Sequence, residues 1–461
     1  MSTTAMSTPA VFIRENRNAG MGIFFLIVAA AIAGFFALNT TPDMTTTFGL
    51  NPGARTNAPR LEDWVFPTQS TLWVLTVVVA FIGGYQLARG FNRVNLALLV
   101  VAFIFIFCFL AWSARGASMN LLGMISTSLS RAAPIAFGAL SGIVCERAGV
   151  INIAIEGMML TGAMVAVVVS SIFRNYAMVD RVTGEPVFPL WLANIGQALD
   201  NANLSDAVPW YLLLGLLAAA IVGALLGLFH AWLSVTFKVD QIVSGTGINI
   251  LAVGVTSFLS QRFLQPIQAL NSGGTFKILP VPGLSSIPII GPLLFEERFI
   301  IYLLFALVIV IHVMLFYTRW GLRTIAVGEH PQAADTLGID VFRMRYINVI
   351  MGGAVAGIGG SFFTIGSVGR FDEVLTAGKG FIGLAAMIFG KWTPLGGFGA
   401  SLIFGFADAL QVKLQGLGID QVPIPSEFLL MAPYIVTMVV LAGVIGRAIP
   451  PASDGVPYEK D

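Results

Sequence analysis

The sequence predicts an all-α, polytopic membrane protein with about twelve transmembrane helices, each needing about 20 apolar residues to cross the hydrocarbon. Three observations carry that prediction. The chain is 56% hydrophobic and only 11% charged, with a mean hydropathy of +0.85, which is more apolar surface than one water-soluble core can bury. Long apolar runs recur from one end to the other. Glycine supplies 50 of 461 residues, well above the usual share of about 7%, as expected where helix backbones pack closely in lipid.

Taken in order, the first run is Gly20 to Leu38, preceded by Arg14 and Arg17. It is too long and uninterrupted for a secretory leader and reads as a helix with its N-terminus inside. A Thr/Pro-rich outer loop leads to Ser70–Ala88, the basic turn Arg89–Arg93 and Val94–Ala114. These three helices form an N-terminal extension, residues 1–115. The core, residues 116–446, carries runs at Asn120–Val144, Asn152–Phe173, Trp210–Val235, Gln241–Leu264, Phe299–Tyr317, Tyr346–Val368, Gly378–Gly390, Leu395–Val412 and Phe428–Ile445. Residues 447–461 are then a cytoplasmic tail. Gly378–Gly390 is short, and the chain ahead of Asn152 is broken by Glu146 and Arg147. Such interruptions mark discontinuous helices. GxxxG spacings at Gly138/Gly142, Gly223/Gly227 and Gly353/Gly357 predict tight crossings, within one subunit rather than between two.

Residues 318–345, TRWGLRTIAVGEHPQAADTLGIDVFRMR, form a basic, helix-competent loop between two apolar runs. Pro331 suits a first helical turn, Pro331 to Leu337 reads as two short turns, and Gly338 suits the stop. Arg319, Arg323, Arg343 and Arg345 crowd its ends, which places it in the cytoplasm. Lys and Arg otherwise divide almost evenly between the two sides, so orientation rests on this loop.

Several chemistries are excluded. Lys379 and Lys391 follow glycines but precede Gly380 and Trp392, so there is no phosphate-cradling G-x-x-x-x-G-K-[ST] loop. His230, His312 and His330 have neither metal-ligand spacing nor a paired nucleophile, and read as packing or interfacial residues. Cys108 and Cys145 cannot build a disulfide framework. A net charge of +1, with no basic run interleaved with aromatics, points to no nucleic-acid partner. No catalytic residue, metal or cofactor is expected.

Asn152, Glu156, Gln241, Ser244, Asn249, Lys379, Asp408 and Gln411 are polar groups in apolar surroundings, where they are expensive and face a bundle interior or a wet cavity. Asn152 lies one helical turn before Glu156. Two readings stay open: these groups line a substrate pathway, or they bond to neighbouring helices and to the backbone of broken segments. Arg147 and Lys379 are the expected partners for the Glu156 carboxylate.

CERAGVINIAIEGMMLTGA at 145–163, DQIVSGTGINILAVGVTSFL at 240–259, and GLRTIAVGEHPQAADTLGIDVFRMR with the later AGKGFIGLAAMIFGKWTPLGGFGASLIFGFADALQ resemble permease subunits of ABC importers. The resemblance is to the branched-chain amino acid and simple-sugar permease family, and within it to purine-nucleoside permeases. It covers roughly residues 120–446. It implies a type II ABC importer permease-like core and no enzymatic activity. It implies a separate ATPase subunit, a second permease subunit (a paralogue), an extracytoplasmic substrate-binding lipoprotein, and a multi-pass location in a bacterial inner membrane. Glu329, Pro331, Ala333, Ala334 and Gly338 match the family's coupling-loop phrase and are expected to dock the ATPase. Asn152, Glu156, Gln241, Ser244, Asn249 and Lys379 are the expected pathway residues, with amides and hydroxyls suited to a nucleoside's ribose and base edges. The alternatives are a ribose-like sugar or branched-chain amino acid as substrate, or an ion-coupled secondary transporter. The extension at 1–115 departs from the shorter family members.

Overall fold

Ten helices among the described residues are long and apolar enough to cross a membrane, and they coincide with ten of the predicted runs. The structure is a computed structural model that describes residues 9–51, 58–176, 208–417 and 448–460, with 189, 194, 195, 197 and 431. The predicted run Phe428–Ile445 lies outside the described residues. The remaining run, Gly378–Gly390, folds as the helix Lys379–Phe389. Its 11 residues span only about 16 Å, roughly half of the hydrocarbon thickness. The protein is an all-α multi-pass membrane protein.

The chain divides into two compact units, Met1–Met124 with Gln411–Met431, and Ile125–Leu410 with Ala432–Asp461. In the first, α1 (Pro9–Ala31) runs on as a π turn to Ala37, followed by α2 (Thr68–Ala88) and α3 (Val94–Ser113). α1 and α2 touch through glycines, Gly22 against Leu87 and Gly83 against Leu26. The Thr-rich segment expected as loop is instead β1 (Thr45–Gly49), paired antiparallel with β2 (Trp64–Pro67) and parallel with β3 (Ser118–Asn120). β-branched and aromatic residues favour the pleated surface; Phe66 stacks on Phe107, Phe48 meets it edge-on and Trp64 is tilted against it, and Thr46 Oγ1 bonds Thr68 Oγ1 at 2.8 Å and donates to Ala111 O at 2.9 Å. Through β3 the sheet of the first unit includes residues 118–120.

The second unit continues α4 (Leu121–Glu146) and adds α5 (Ile155–Arg174), α6 (Trp210–Ala231), α7 (Gln241–Leu259), α8 (Phe299–Tyr317), α9 (Arg319–Glu329), α10 (Pro331–Thr336), α11 (Val341–Ser361), α12 (Lys379–Phe389) and α13 (Pro394–Leu417). α6, α7 and α11 each continue into a π turn. A short antiparallel pair joins β4 (Ile278–Pro280) to β5 (Glu296–Arg298). The centre is a knot of α5, α6 and α11. Gly223 and Gly227 of α6 lie directly on Gly353 and Val349 of α11, and Gly357 of α11 on Ala219 of α6. A Cβ at Gly162 of α5 would stand 2.5 Å from the Gly357 carbonyl. The GxxxG spacings therefore serve crossings inside this chain: the Gly138/Gly142 pair faces Gly383 and Met387 of α12 in the same way.

Since the obstacle at Gly357 is backbone, Gly357→Leu has no side chain to displace and is expected to cost more than the 1–3 kcal/mol or so of ordinary overpacking. Its folded yield and detergent-solubilised Tm should fall sharply. Gly254→Leu, where nothing stands within 4 Å, should leave both unchanged. Equal behaviour of the two variants would remove the crossing from the account.

Candidate functional site

Between the last turn of α4 and the first turn of α5 the chain is not helical, although both flanking helices are membrane spans. Peptide groups left unpaired in such a place cost several kcal/mol each, by order of magnitude. Side chains from α6 and α7 pair them. Gln241 Oε1 accepts from Ile151 N at 2.6 Å, and His230 Nε2 meets Ile151 O at 2.9 Å. Asn249 holds two places at once, donating to Ile153 O at 2.9 Å and accepting from Gly157 N at 2.7 Å. Asn152 turns its own Oδ1 onto Ala154 N at 3.1 Å, an Asx-type local turn. Ser244 Oγ meets His230 Nδ1 at 3.1 Å. With Nε2 facing a carbonyl it must carry the ring proton, leaving Nδ1 to accept from Ser244, an assignment made from the network. Gln241 and Asn249 are eight residues apart on one helix, so residues 151–157 climb about 12 Å along α7. Past the end of α4 the chain thus turns back into the bundle in non-helical form before α5 begins, and in that sense 147–154 is the re-entrant segment.

At its top stands Glu156. Its Oε1 accepts from Thr376 Oγ1 at 2.6 Å and Gly378 N at 2.8 Å, and its Oε2 accepts from Gly380 N at 2.7 Å. Gly378 and Gly380 flank the start of α12, whose free N–H groups and positive dipole end suit an anion. The carboxylate of α5 is thus the cap of a half-helix that begins inside the bundle. Gly378 has φ +76°, open only to glycine without strain. A Cβ at Gly380 would lie 2.7 Å from Glu156 Oε2. Beside the cap, Lys379 Nζ pairs with Asp408 Oδ2 at 2.9 Å, and Arg131 reaches the same oxygen at 3.4 Å. The expected partnership of Glu156 with Lys379 or Arg147 is therefore corrected. Lys379 is drawn to Asp408, and backbone N–H groups satisfy Glu156 in place of a cation.

Arg147 lies at the other end of α12. Its Nε donates to Trp392 O at 2.9 Å and its NH2 to Lys391 O at 3.3 Å, while Glu146 accepts from the Trp392 indole at 2.6 Å. Lys391 and Trp392 are consecutive left-handed residues with φ +53° and +52°. That conformation is costly for side-chain-bearing residues and persists only where neighbours over-determine it. From the sequence, Glu146 and Arg147 read as a break in the helix and His230 as a packing or interfacial residue, whereas all three hold backbone or side chains around this segment. Their signal was the charge pair at the end of an apolar run and a histidine within one.

The loop at 318–345 folds as a helical hairpin, α9 then α10. Pro331 opens α10, and Gly338 follows it with φ +81°. Its residues divide between two faces. Gln332, Ala333, Thr336 and Leu337 face outward, Leu337 with 82% of its surface exposed. Ala334, expected at the docking surface, is 2% exposed and packs with Val327, Val341, Met344 and Tyr458; successive helical residues lie about 100° apart, so Ala333 faces outward while Ala334 faces the bundle. Pro331 is buried as well, and Glu329 is half-buried, its carbonyl accepting from Ser453 Oγ at 3.2 Å. Asn152, Gln241, Ser244 and Asn249 converge on the re-entrant segment, all below 9% exposed, while Glu156 and Lys379 meet at the α12 cap. Gln411 falls in the other unit. A cavity of about 600 Å³ in the second unit, lined by Ile125, Leu129, Phe305, Val308, Phe398 and Leu402 among others, contains none of these residues.

With three donors on its carboxylate, Glu156 is expected to tolerate substitution poorly in a graded way. Glu156→Gln keeps one acceptor oxygen and strands at least one donor, about 1–3 kcal/mol; Glu156→Ala strands all three and should cost more. Folded yield in membranes should fall from wild type to Gln to Ala, and normal levels of both variants would refute the capping role.

The family described as "Branched-chain amino acid transport system / permease component" matches residues 124–445. The guanosine ABC transporter permease protein NupQ of Bacillus subtilis is 39% identical over 338 residues, 73% of this chain and 96% of that protein. The nucleoside ABC transporter permease protein NupC of Lactococcus lactis is 38% identical over 339 residues, again 73% and 96%. A second protein of that organism, the nucleoside ABC transporter permease protein NupB, is 22% identical over 350 residues, 74% of this chain and 86% of its own. No solved structure matches. The family match covers the re-entrant segment, the capped half-helix and the hairpin together, and the chain belongs to the branched-chain amino acid transport system permease component family.

Proposed function

We propose that this chain, a non-catalytic permease component, forms part of the membrane pathway of an ATP-driven importer of purine nucleosides in a bacterial inner membrane. The observation that carries the substrate class is the similarity to two nucleoside permeases along 96% of the length of each. The importer also needs an ATPase subunit, an extracytoplasmic binding lipoprotein and a second permease. That second permease is a paralogue rather than an identical copy: one organism has two nucleoside permeases, both similar to this chain but to different degrees.

The hairpin α9–α10 docks the ATPase by its outward face, Gln332, Ala333, Thr336 and Leu337, with Ala334 and Pro331 setting its seat on the bundle. Closure of the ATPases displaces the hairpin, and the helices around the re-entrant segment rock as bodies, giving alternating access without covalent chemistry in this chain. Asn152, Gln241, Ser244 and Asn249 serve the pathway by holding its re-entrant wall, and Glu156 with Lys379 by fixing the half-helix that begins there. Most of their polar atoms are committed to backbone or to other side chains, Gln241 Nε2 being the buried exception, which favours shaping the wall over direct contact with substrate. Residues 1–124 are peripheral to transport and serve assembly.

Two outcomes are expected. In proteoliposomes with the ATPase, the second permease and the lipoprotein, labelled guanosine uptake should be displaced by other purine nucleosides and not by ribose or leucine; displacement by ribose or leucine at equal concentration would move the substrate to the other class. Leu337→Asp should weaken ATPase association by about tenfold, the scale of losing one exposed apolar anchor, with normal membrane levels. Ala334→Arg should instead lower the folded yield, because the guanidinium would enter an apolar cluster. Unchanged association in Leu337→Asp would take the docking face away from α10.

A further inference from the structure

Residues 448–460 lie beyond the family match, which ends at residue 445, and were expected as a tail. They are instead packed along the end of the second unit that carries the hairpin, and their contacts alternate between two bodies. Toward the hairpin, Ala452 N donates to Glu329 Oε2 at 3.2 Å, Ser453 N to Gly328 O at 2.9 Å, and Lys460 pairs with Asp335 at 3.4 Å. Tyr458, 5% exposed, completes the apolar cluster of Val327, Ala334, Val341 and Met344, with its ring 5.4 Å from that of Phe342. Toward the re-entrant segment, Ser453 O lies against Gly149, and Gly455, at φ +76°, against Ile151. Asp454 faces Glu146 at hydrogen-bonding range, with Arg345 beside it. Arg345, 1% exposed, donates to Val456 O at 2.8 Å. Glu459 pairs with Lys238, just ahead of α7.

The buried group is unlike a surface tail. Burial pushes the Asp454 carboxyl up to about 6, against the opposing pull of Glu146, Arg345 and the Gly455 N–H. Exposed ion pairs such as Lys238–Glu459 and Lys460–Asp335 contribute little by themselves. The grip therefore comes from Tyr458 in its apolar cluster, from the two bonds of Ser453 and from Arg345 on the Val456 carbonyl. Ser453 carries two bonds to the hairpin while its own carbonyl touches Gly149, so one residue bridges both bodies.

We propose that residues 451–460 are a brace that ties the ATPase-docking hairpin to the re-entrant segment, with Ser453 and Tyr458 as positioning residues, so that displacement of α9–α10 is carried to residues 149–156. The proposal rests on the reading of α9–α10 as the docking hairpin. A chain without the brace retains its membrane helices and its outward docking face, but its hairpin moves independently of the pathway wall.

The test uses the full importer in nanodiscs, comparing wild type with a chain ending at residue 450 and with the milder Tyr458→Ala, by amide hydrogen exchange and by uptake per ATP hydrolysed. In both variants the amides of 322–338 should exchange about tenfold faster, while those of the α5–α6–α11 centre stay protected as in wild type. Uptake per ATP should fall about fivefold with the ATPase still bound, a ratio that loss of folded protein alone leaves unchanged. Unchanged exchange in the hairpin, or exchange rising alike in hairpin and centre, would overturn the brace. The exchange arm needs no substrate, so a mistaken substrate class shows only as absent guanosine uptake in wild type.

Discussion

The constraint on which the rest of this structure depends is that a peptide group inside a membrane bundle must find a partner in the protein. Residues 147–154 break the helical ladder between two spans, and each exposed N–H and C=O there needs an outside group. The polar residues scattered over α6 and α7 answer that need at specific heights: Gln241 and His230 at Ile151, Asn249 at Ile153 and Gly157. The same groups that are expensive in lipid become the means by which an irregular segment is held in one conformation. Replacing any one of them by an apolar residue would leave a backbone group orphaned rather than simply remove a bond.

Glu156 extends the principle to a charge. A buried carboxylate is destabilising unless its lone pairs are filled, and here two backbone N–H groups and a hydroxyl fill them. The half-helix α12 gains in return a counter-charge at its positive end, where the cation Lys379 would otherwise add to that end's positive charge. Asp408 takes up Lys379 at 2.9 Å, so the two acids and the lysine form one arrangement. At the far end of α12, Glu146 and Arg147 hold the left-handed pair Lys391 and Trp392. Both ends of the half-helix are thus fixed by residues flanking the re-entrant segment, which makes the segment and α12 a single mechanical element.

The hairpin and the terminal segment show how small residues divide labour. Ala333 and Ala334 are adjacent and chemically identical, yet one faces outward and the other supports Val327, Met344 and Tyr458. Gly328 sits against the Arg147 carbonyl, so the hairpin touches the re-entrant strand directly as well as through residues 452–458. The hairpin thus has two sets of contacts with the segment that leads to Glu156, one at Gly328 and one through residues 452–458.

Features that depend on near neighbours along the chain could be read without any coordinates. Twenty-residue apolar runs set ten spans within a few residues, since crossing the hydrocarbon is a matter of length and hydropathy. Pro331 and Gly338 marked the ends of α10, because each acts through its own backbone angles. The short run at 378–390 and the break before Asn152 were legible as discontinuities, and Asn152, Glu156, Gln241, Ser244 and Asn249 as groups in need of partners. Which partner each found was decided only by tertiary structure. Glu156 meets N–H groups some 220 residues away, and a guess based on charge alone chose Lys379 and Arg147, since backbone donors are the same in every residue and leave no mark in the sequence. The Thr-rich strands and the packed terminal segment escaped for a related reason: a strand or strap is stabilised by what lies beside it, and periodicity in one chain segment does not reveal what that will be.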